Sequence, residues 1–238
     1  MSIAEREVAE ARKQGLSIGI ASGTYGISFG ALSIAAGLDL WQTMAMSLLL
    51  FTGGSQFALV GIIGSGGNPV TAVATSTLLG IRNGLYGLQL ARVLRLLGWR
   101  RAAAAHLTID ESTAVALAQE QPEVQRTGFW AAGLGVYAFW NLSTLVGALV
   151  GNAIGDPRVW GLDAAAAAAF VALIWPRLKD RTGQVTAALA AAIALISFAP
   201  MPAGVPVLLA AIAAIVIGLA SAGPSSAHDI EQPEGDLL

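Results

Sequence analysis

Long apolar segments alternate with short polar ones along most of the 238-residue chain. No charged residue occurs between Leu16 and Leu38, and none occurs from Trp41 to Ile81. A helix needs about 20 apolar residues to cross a bilayer. The pattern therefore predicts an all-α polytopic membrane protein with about seven transmembrane helices, at 16–38, 41–65, 70–91, 128–153, 159–176, 183–199 and 203–222.

Polar segments flank this apolar region at both ends. Residues 1–15 form a polar N-terminal segment that mixes acids and bases, so we expect no cleaved signal peptide. Residues 16–222 form one transmembrane domain. Residues 223–238 carry four acids and no Lys or Arg, which predicts a disordered acidic tail.

Composition excludes several classes of function. Only 12% of the residues are charged, about half the usual share of a soluble domain. The absence of cysteine excludes disulfides and thiolate catalysis, and two histidines, His106 and His228, are too few for a histidine-rich metal site. We find no nucleophile elbow, zinc-protease motif, P-loop or dinucleotide fingerprint. We therefore predict no metal, no cofactor, no nucleic-acid partner and no enzymatic activity.

Two clusters of basic residues bear on orientation, because short cytoplasmic loops are rich in Lys and Arg. Seven full crossings place both clusters and the C-terminus in the cytoplasm, with the N-terminus outside. If 41–65 instead dips into the membrane and returns, the N-terminus is cytoplasmic. The sequence does not decide whether 41–65 crosses the membrane fully. It leaves the same question open for 103–119. The clusters are Arg92, Arg95, Arg100 and Arg101, and Arg177, Lys179 and Arg181.

Residues 29–39 and 146–156 resemble each other. The segments FGALSIAAGLD and VGALVGNAIGD match at five of eleven positions. In a chain with seven crossings they would point in opposite directions, which is the pattern of inverted-repeat transporters.

Polar and small residues interrupt the apolar segment 41–65, where Gly53, Gly54, Ser55 and Gln56 follow one another. A Gly/Ser cluster is a common place for a helix to kink or break. A break would expose N–H groups at the positive end of the second half-helix, which suits a carboxylate. The alternative is that small residues only allow close helix packing.

The first apolar segment has a similar composition in SGTYGISFG. Gly23, Gly26 and Gly30 are spaced by three and four residues, so they share one helical face. We interpret this face as a packing surface, while Tyr25 beside it is a candidate for substrate contact.

Arg82 and Asn83 lie inside the third apolar segment. An arginine at such a depth costs about 2.5–3.5 kcal/mol and must find a partner. A guanidinium can hold a carboxylate with two hydrogen bonds, so a substrate carboxylate is one candidate. The alternatives are an ion pair with an acid of this chain, or a side chain that reaches the membrane surface.

Asp110 and Glu111 lie in LTIDESTAVALA, between apolar residues. A carboxylate there could pair with Arg82 or carry a coupling proton. Alternatively, the two acids mark the start of a surface helix that Thr108 caps.

The order of these motifs resembles the AzlC family, the large subunit of two-component branched-chain amino acid exporters. The resemblance covers about residues 15–222. Five segments carry it: SGTYGISFGALSIAAGL, MSLLLFTGGSQFALVGII, LLGIRNGLYGLQLAR, LTIDESTAVALAQ and GDPRVWGLDAAAAAAF. The chain departs from the family at Asn83, where members often have histidine, so a proton role at that position is in doubt.

The resemblance implies a transporter in the bacterial plasma (inner) membrane that exports leucine, isoleucine, valine or related amino acids. It also implies a small hydrophobic partner of the AzlD type and use of the proton-motive force. The alternative is a channel or a non-transporting membrane scaffold subunit. Phe29, Phe51 and Phe57 are expected to be apolar walls, and Asp110 and Glu111 to couple protons. The expected substrate-binding residues are Gly53, Gly54, Ser55, Gln56, Arg82, Asn83 and Tyr25.

Overall fold

The computed structural model describes residues 2–154 and 174–221, together with positions 159, 161, 164, 167, 168 and 171. Helices dominate the described residues, which contain no β-strand, so the predicted all-α fold class is confirmed. Most of the predicted segment 159–176 and the tail 223–238 lie outside the described residues.

The chain divides into two compact units. The first comprises Met1–Ile174 with Pro202–Gly204, and the second comprises Trp175–Met201 with Val205–Leu238. The described helices of the first unit are α1 (Ile3–Thr24), α2 (Gly26–Ala35), α3 (Leu40–Leu49), α4 (Gly54–Gly64), α5 (Pro69–Leu94), α6 (Gly98–His106), α7 (Asp110–Leu117) and α8 (Pro122–Ile154).

Two long helical stretches, α1–α2 and α8, run parallel in the first unit. A Cβ built on Gly19 would lie 2.8 Å from the carbonyl carbon of Gly135, and one on Gly151 would lie 3.0 Å from Cα of Ala31. The two backbones therefore almost touch, which only small residues allow. Gly23, Gly26 and Gly30 belong to the same seam, so their interpretation as a packing face is confirmed.

Helices α3 and α4 form a re-entrant pair. Helix α3 starts beyond the end of α2 and runs antiparallel to α8. Two contacts show this direction. The Ser47 hydroxyl donates to Oδ1 of Asn141 over 2.8 Å, and the Tyr137 hydroxyl donates to the Leu48 carbonyl over 3.4 Å. Helix α4 then runs parallel to α2, with Phe57 beside Phe29 and Gly64 beside Ala36. The pair therefore turns back half-way and returns to the end from which it came.

Helix α5 crosses the unit in the opposite direction. Its 26 residues span about 39 Å. Gly80 faces Ser55 of α4, and the Val93 carbonyl accepts a hydrogen bond from Nε of Arg126 near the start of α8. Helix α5 therefore ends where α1 and α8 begin.

Helices α6 and α7 form a second re-entrant pair, which enters from that end. The His106 ring at the end of α6 lies 5.5 Å from the Tyr137 ring, half-way along α8. Helix α7 runs back antiparallel to α8, since Val115 faces Gly128. Beyond it, Nε2 of Gln119 donates to Oε1 of Gln14 on α1 over 3.1 Å.

The two halves of this arrangement are inverted relative to each other. A crossing stretch (α1–α2) followed by a re-entrant pair (α3–α4) is repeated, upside down, by α5 and α6–α7. The segments 29–39 and 146–156 are not the inverted partners, because their helical parts pack side by side in the same direction. That expectation is wrong because, of the described helices between them, only α5 runs back through the whole unit.

The second unit contains a 3₁₀ helix (Trp175–Lys179) followed by α9 (Arg181–Phe198) and α10 (Val205–Ser221), which pack against each other. Oδ1 of Asp180 accepts from the Gly183 N–H over 2.7 Å and caps α9. The predicted segments 183–199 and 203–222 match these helices to within a few residues.

Three stretches of the described residues are long and apolar enough to cross a membrane, namely Ala4–Ala35, Pro122–Gly151 and Arg181–Phe198. Gly54–Gly64 and Val205–Gly218 are shorter apolar helices. The count of seven crossings is thus not confirmed, and 41–65 in particular forms two short helices instead of one long one.

Candidate functional site

The first break separates α3 from α4 at the predicted glycines. Helix α3 ends at Leu49 and α4 begins at Gly54. Gly53 between them has φ +60° and ψ −85°, which strains any residue with a Cβ. The predicted helix break is therefore present, and Gly53 provides the conformation that it needs.

Gln56 closes this break from the inside. Its side chain is completely buried. Its Oε1 accepts from the Gly53 N–H over 3.1 Å, and its Nε2 donates to the Met46 carbonyl in the last turn of α3 over 3.1 Å. In this conformation the amide ties the two half-helices together and does not point a free donor at a substrate.

The second break, between His106 and Asp110, has the same construction. Ser112 stands third in α7, as Gln56 does in α4. Its Oγ accepts from the Ile109 N–H over 3.1 Å and donates to the Leu107 carbonyl over 2.7 Å. Thr108 does not cap α7 as expected, since its hydroxyl donates back to the Ala104 carbonyl over 2.8 Å.

The two breaks meet near the middle of α8. The Phe51 ring lies 6.0 Å from the His106 ring, and the Tyr137 ring lies 5.0 Å from Phe51. Helix α5 contacts both breaks through residues only two positions apart. Gly80 faces Ser55 at the first break, and Arg82 contacts Asp110 at the second. The N-termini of α4 and α7 therefore point toward a common central region from opposite ends.

Arg82 forms an ion pair with the first residue of α7. Its Nη2 lies 2.6 Å from Oδ2 of Asp110, and the Tyr86 hydroxyl donates to Oδ1 of the same carboxylate over 2.9 Å. The side chains are 29% and 17% exposed. The expected pairing of Arg82 with an acid of this chain is thus observed, while Nε of Arg82 is buried without a partner among the described residues.

Glu111 points to another element of this region. It receives a hydrogen bond from the Ser22 side chain on α1. The paired carboxylates Asp110 and Glu111 compensate the positive end of α7.

The N-terminus of α4 has no such compensation. Its first turn contains no acid, and Gly53 has no side chain to cap it. Ser55 in this turn is 1% exposed, and its Oγ has no hydrogen-bond partner among the described residues. Uncapped N–H groups and a buried hydroxyl together form a place where an anion is favoured.

The remaining predicted residues lie around this centre. Oδ1 of Asn83 is buried without a partner in the described part of the chain. Tyr25 is 42% exposed, between α1 and α2. Three of the aromatic side chains pack together, with the Phe29 ring 5.8 Å from both the Phe57 and Trp140 rings. Among the described residues no cluster of acids and histidines could hold a metal ion.

The family model described as "AzlC protein" matches residues 17–154, which run from α1 to the end of α8. The chain belongs to the AzlC family. The match contains both re-entrant pairs, α5 and the Arg82–Asp110 ion pair, so the candidate site lies entirely within the family's region. No enzyme family is indicated.

Curated relatives of this AzlC-family chain are described as uncharacterized membrane proteins. One from Helicobacter pylori (strain J99) is 28% identical over 176 residues, which cover 73% of this chain and 77% of that protein. One from Archaeoglobus fulgidus is 32% identical over 156 residues, which cover 65% of this chain and 68% of that protein. No solved structure matches. These names and the apolar helices support a membrane protein.

Proposed function

We propose that this chain is the large subunit of a transporter that exports branched-chain or similar apolar amino acids across the bacterial plasma membrane, together with a small hydrophobic subunit of the AzlD type. One observation carries the proposal. Two half-helices enter from opposite ends and direct their N-termini toward a region that also holds Arg82. Broken helices that bind substrate near the midplane are a recurrent design of secondary transporters.

The substrate carboxylate binds at the first turn of α4. The N–H groups of Gly54 and Ser55, the Ser55 hydroxyl and the Arg82 guanidinium supply donors, and Asn83 adds an acceptor for the ammonium group. Phe29, Phe51 and Phe57 give apolar walls for the side chain. Gln56 holds the break in the shape that exposes these donors. Tyr25 stays a predicted contact at the edge of the site.

The Arg82–Asp110 pair provides a means of coupling. A substrate carboxylate that binds Arg82 competes with Asp110 for the same cation. The zwitterion offers a replacement partner, because its ammonium group can pair with the freed Asp110 carboxylate. We infer that a proton on Asp110 removes this partner, so that proton and substrate exclude each other, and that Glu111 beside it relays the proton.

The distribution of basic residues sets the proposed orientation. In the described part of the first unit, every Lys and Arg except Arg82 lies on α1 or between Arg92 and Arg126, at the end where α1 and α8 begin. The opposite end of the unit, where Asp39 and Asn68 lie, has no Lys or Arg among its described residues. The positive-inside rule then places the N-terminus in the cytoplasm, as in the re-entrant alternative.

Efflux of labelled leucine from proteoliposomes tests the function. We expect saturable efflux that requires the small subunit and rises when an opposing proton gradient is imposed, because a proton on Asp110 and a bound substrate exclude each other. A channel would give efflux that does not saturate. A scaffold would give none, although both subunits are folded and bound to each other.

A further inference from the structure

A groove separates the second half of α5 from α6. Its volume is about 670 Å³. The α5 wall consists of Asn83, Gly84, Gly87, Leu88, Ala91 and Leu94. A Cβ on Gly84 or Gly87 would have no neighbour within 4 Å, so the groove reaches the α5 backbone. Most of its lining residues are apolar, and its volume is large enough for part of a hydrocarbon chain.

Two arginines lie at the outer end of the groove, where α5 ends and α6 begins. Arg95 and Arg101 both line it, and both side chains are exposed. From Arg92 to Ile109 the chain has four arginines and no acid. Among the described residues neither Arg95 nor Arg101 has an ion-pair partner. The outer end therefore has uncompensated positive charge.

Arg95 occupies a position that glycine would normally take. It ends α5 with φ +50° and ψ +41°, the left-handed conformation. Of the described residues other than glycine, it alone has a positive φ. Helices commonly end with glycine in this conformation, because a Cβ is strained there. An arginine that tolerates this strain suggests that its side chain has a role.

The neighbouring residues place this end at a membrane surface. Leu97 is 82% exposed and Trp99 is 76% exposed, while the Arg100 guanidinium lies 5.8 Å from the Trp99 ring centre. Tryptophan and arginine together are typical of the membrane–water interface. Basic pockets between membrane helices on the cytoplasmic side bind acidic lipid head groups.

We propose that the α5–α6 groove binds one anionic phospholipid, with its head group between Arg95 and Arg101 and an acyl chain along Gly84 and Gly87. Charge complementarity selects the head group, and the open glycines admit the chain. The groove also reaches Asn83 of the candidate site, but lipid binding can be measured without knowing which solute the protein transports.

Native mass spectrometry of the full chain in detergent tests this proposal. Phosphatidylglycerol is titrated against phosphatidylcholine. The charge variant is Arg95→Gly with Arg101→Gln, because glycine relieves the strained backbone while removing the guanidinium. We expect about a 30-fold loss of phosphatidylglycerol affinity, since each interfacial arginine contributes about fivefold. The matched control, Arg6→Gln with Lys13→Gln, removes two exposed charges from α1 at the same end and should keep wild-type affinity.

A second variant tests the acyl-chain part of the groove. In Gly84→Leu the new Cβ meets no atom within 4 Å and helix propensity improves, so the variant should fold normally while its side chain fills the groove and weakens lipid binding. Ala74→Leu, at an exposed position elsewhere on α5, is its control. Unchanged phosphatidylglycerol affinity in both groove variants, equal affinity for phosphatidylcholine, or displacement by inorganic phosphate alone would overturn the proposal.

Discussion

Replacing Arg82 with glutamine should abolish leucine efflux while the purified protein stays folded. The guanidinium is the proposed partner of the substrate carboxylate and the observed partner of Asp110. Truncating one member of a desolvated charge pair commonly costs 2–5 kcal/mol, so we expect at least about a 30-fold loss of transport. Efflux is measured in proteoliposomes, with Arg6→Gln, an exposed arginine, as the matched control.

The same substitution has a defined effect on stability. Removing Arg82 leaves the Asp110 carboxylate in a largely desolvated place without its cation. A fully buried pair would lose 3–5 kcal/mol, but these side chains are 29% and 17% exposed, so we expect about 2 kcal/mol. The double variant Arg82→Gln/Asp110→Asn should recover most of this loss without recovering transport. Additive losses in the double variant, measured by thermal unfolding, would show that the pair is not coupled.

Replacing Gly19 with leucine should prevent the first unit from folding. A Cβ there would lie 2.8 Å and 2.9 Å from two backbone atoms of Gly135, so the α1 and α8 backbones would have to separate. Overpacking against side chains costs 1–3 kcal/mol, and backbone cannot move aside as a side chain can. We expect a loss above about 3 kcal/mol, seen as aggregation in size-exclusion chromatography.

Gly84→Leu is the matched control for this substitution. It makes the same chemical change in another helix, at a position where a Cβ meets no atom within 4 Å. A monodisperse Gly84→Leu protein beside an aggregated Gly19→Leu protein would locate the effect in the seam. Equal behaviour of the two variants would contradict the close packing of α1 and α8.

The first break and the ion pair could be predicted from single residues. Two adjacent glycines before Ser55 and Gln56 favoured a break as one of two explanations, and an arginine at the depth of Arg82 must find a partner. The sequence did not show how Gln56 is used, because its partners come from Met46, ten residues away, and from Gly53. A polar side chain that bridges a break is indistinguishable in sequence from one that contacts a substrate.

The second break was missed because it contains no glycine. Ile109 takes an extended conformation that any residue can adopt, with φ −131° and ψ 176°. The available signal was Ser112 three residues later, together with the acids Asp110 and Glu111 at a helix start. The alternative that Asp110 pairs with Arg82 predicted the observed contact. It did not predict that α6 and α7 form a re-entrant pair.

The count of seven crossings is not confirmed, for a related reason. Residues 41–65 are long enough to cross a membrane, and composition alone cannot separate one crossing helix from two half-helices of about ten residues. Only the direction of packing does so, through Ser47 with Asn141 and Gly64 with Ala36.

The most direct test of the central claim is a competition experiment on leucine binding to the purified two-subunit protein. The claim is that the first turn of α4 and Arg82 recognise the substrate through its carboxylate. Isocaproate keeps the carboxylate and lacks the amine, while leucinol keeps the amine and lacks the carboxylate. We predict that isocaproate displaces labelled leucine and that leucinol does not, and that Arg82→Gln abolishes binding. Displacement by leucinol, or unchanged leucine binding in Arg82→Gln, would contradict the account.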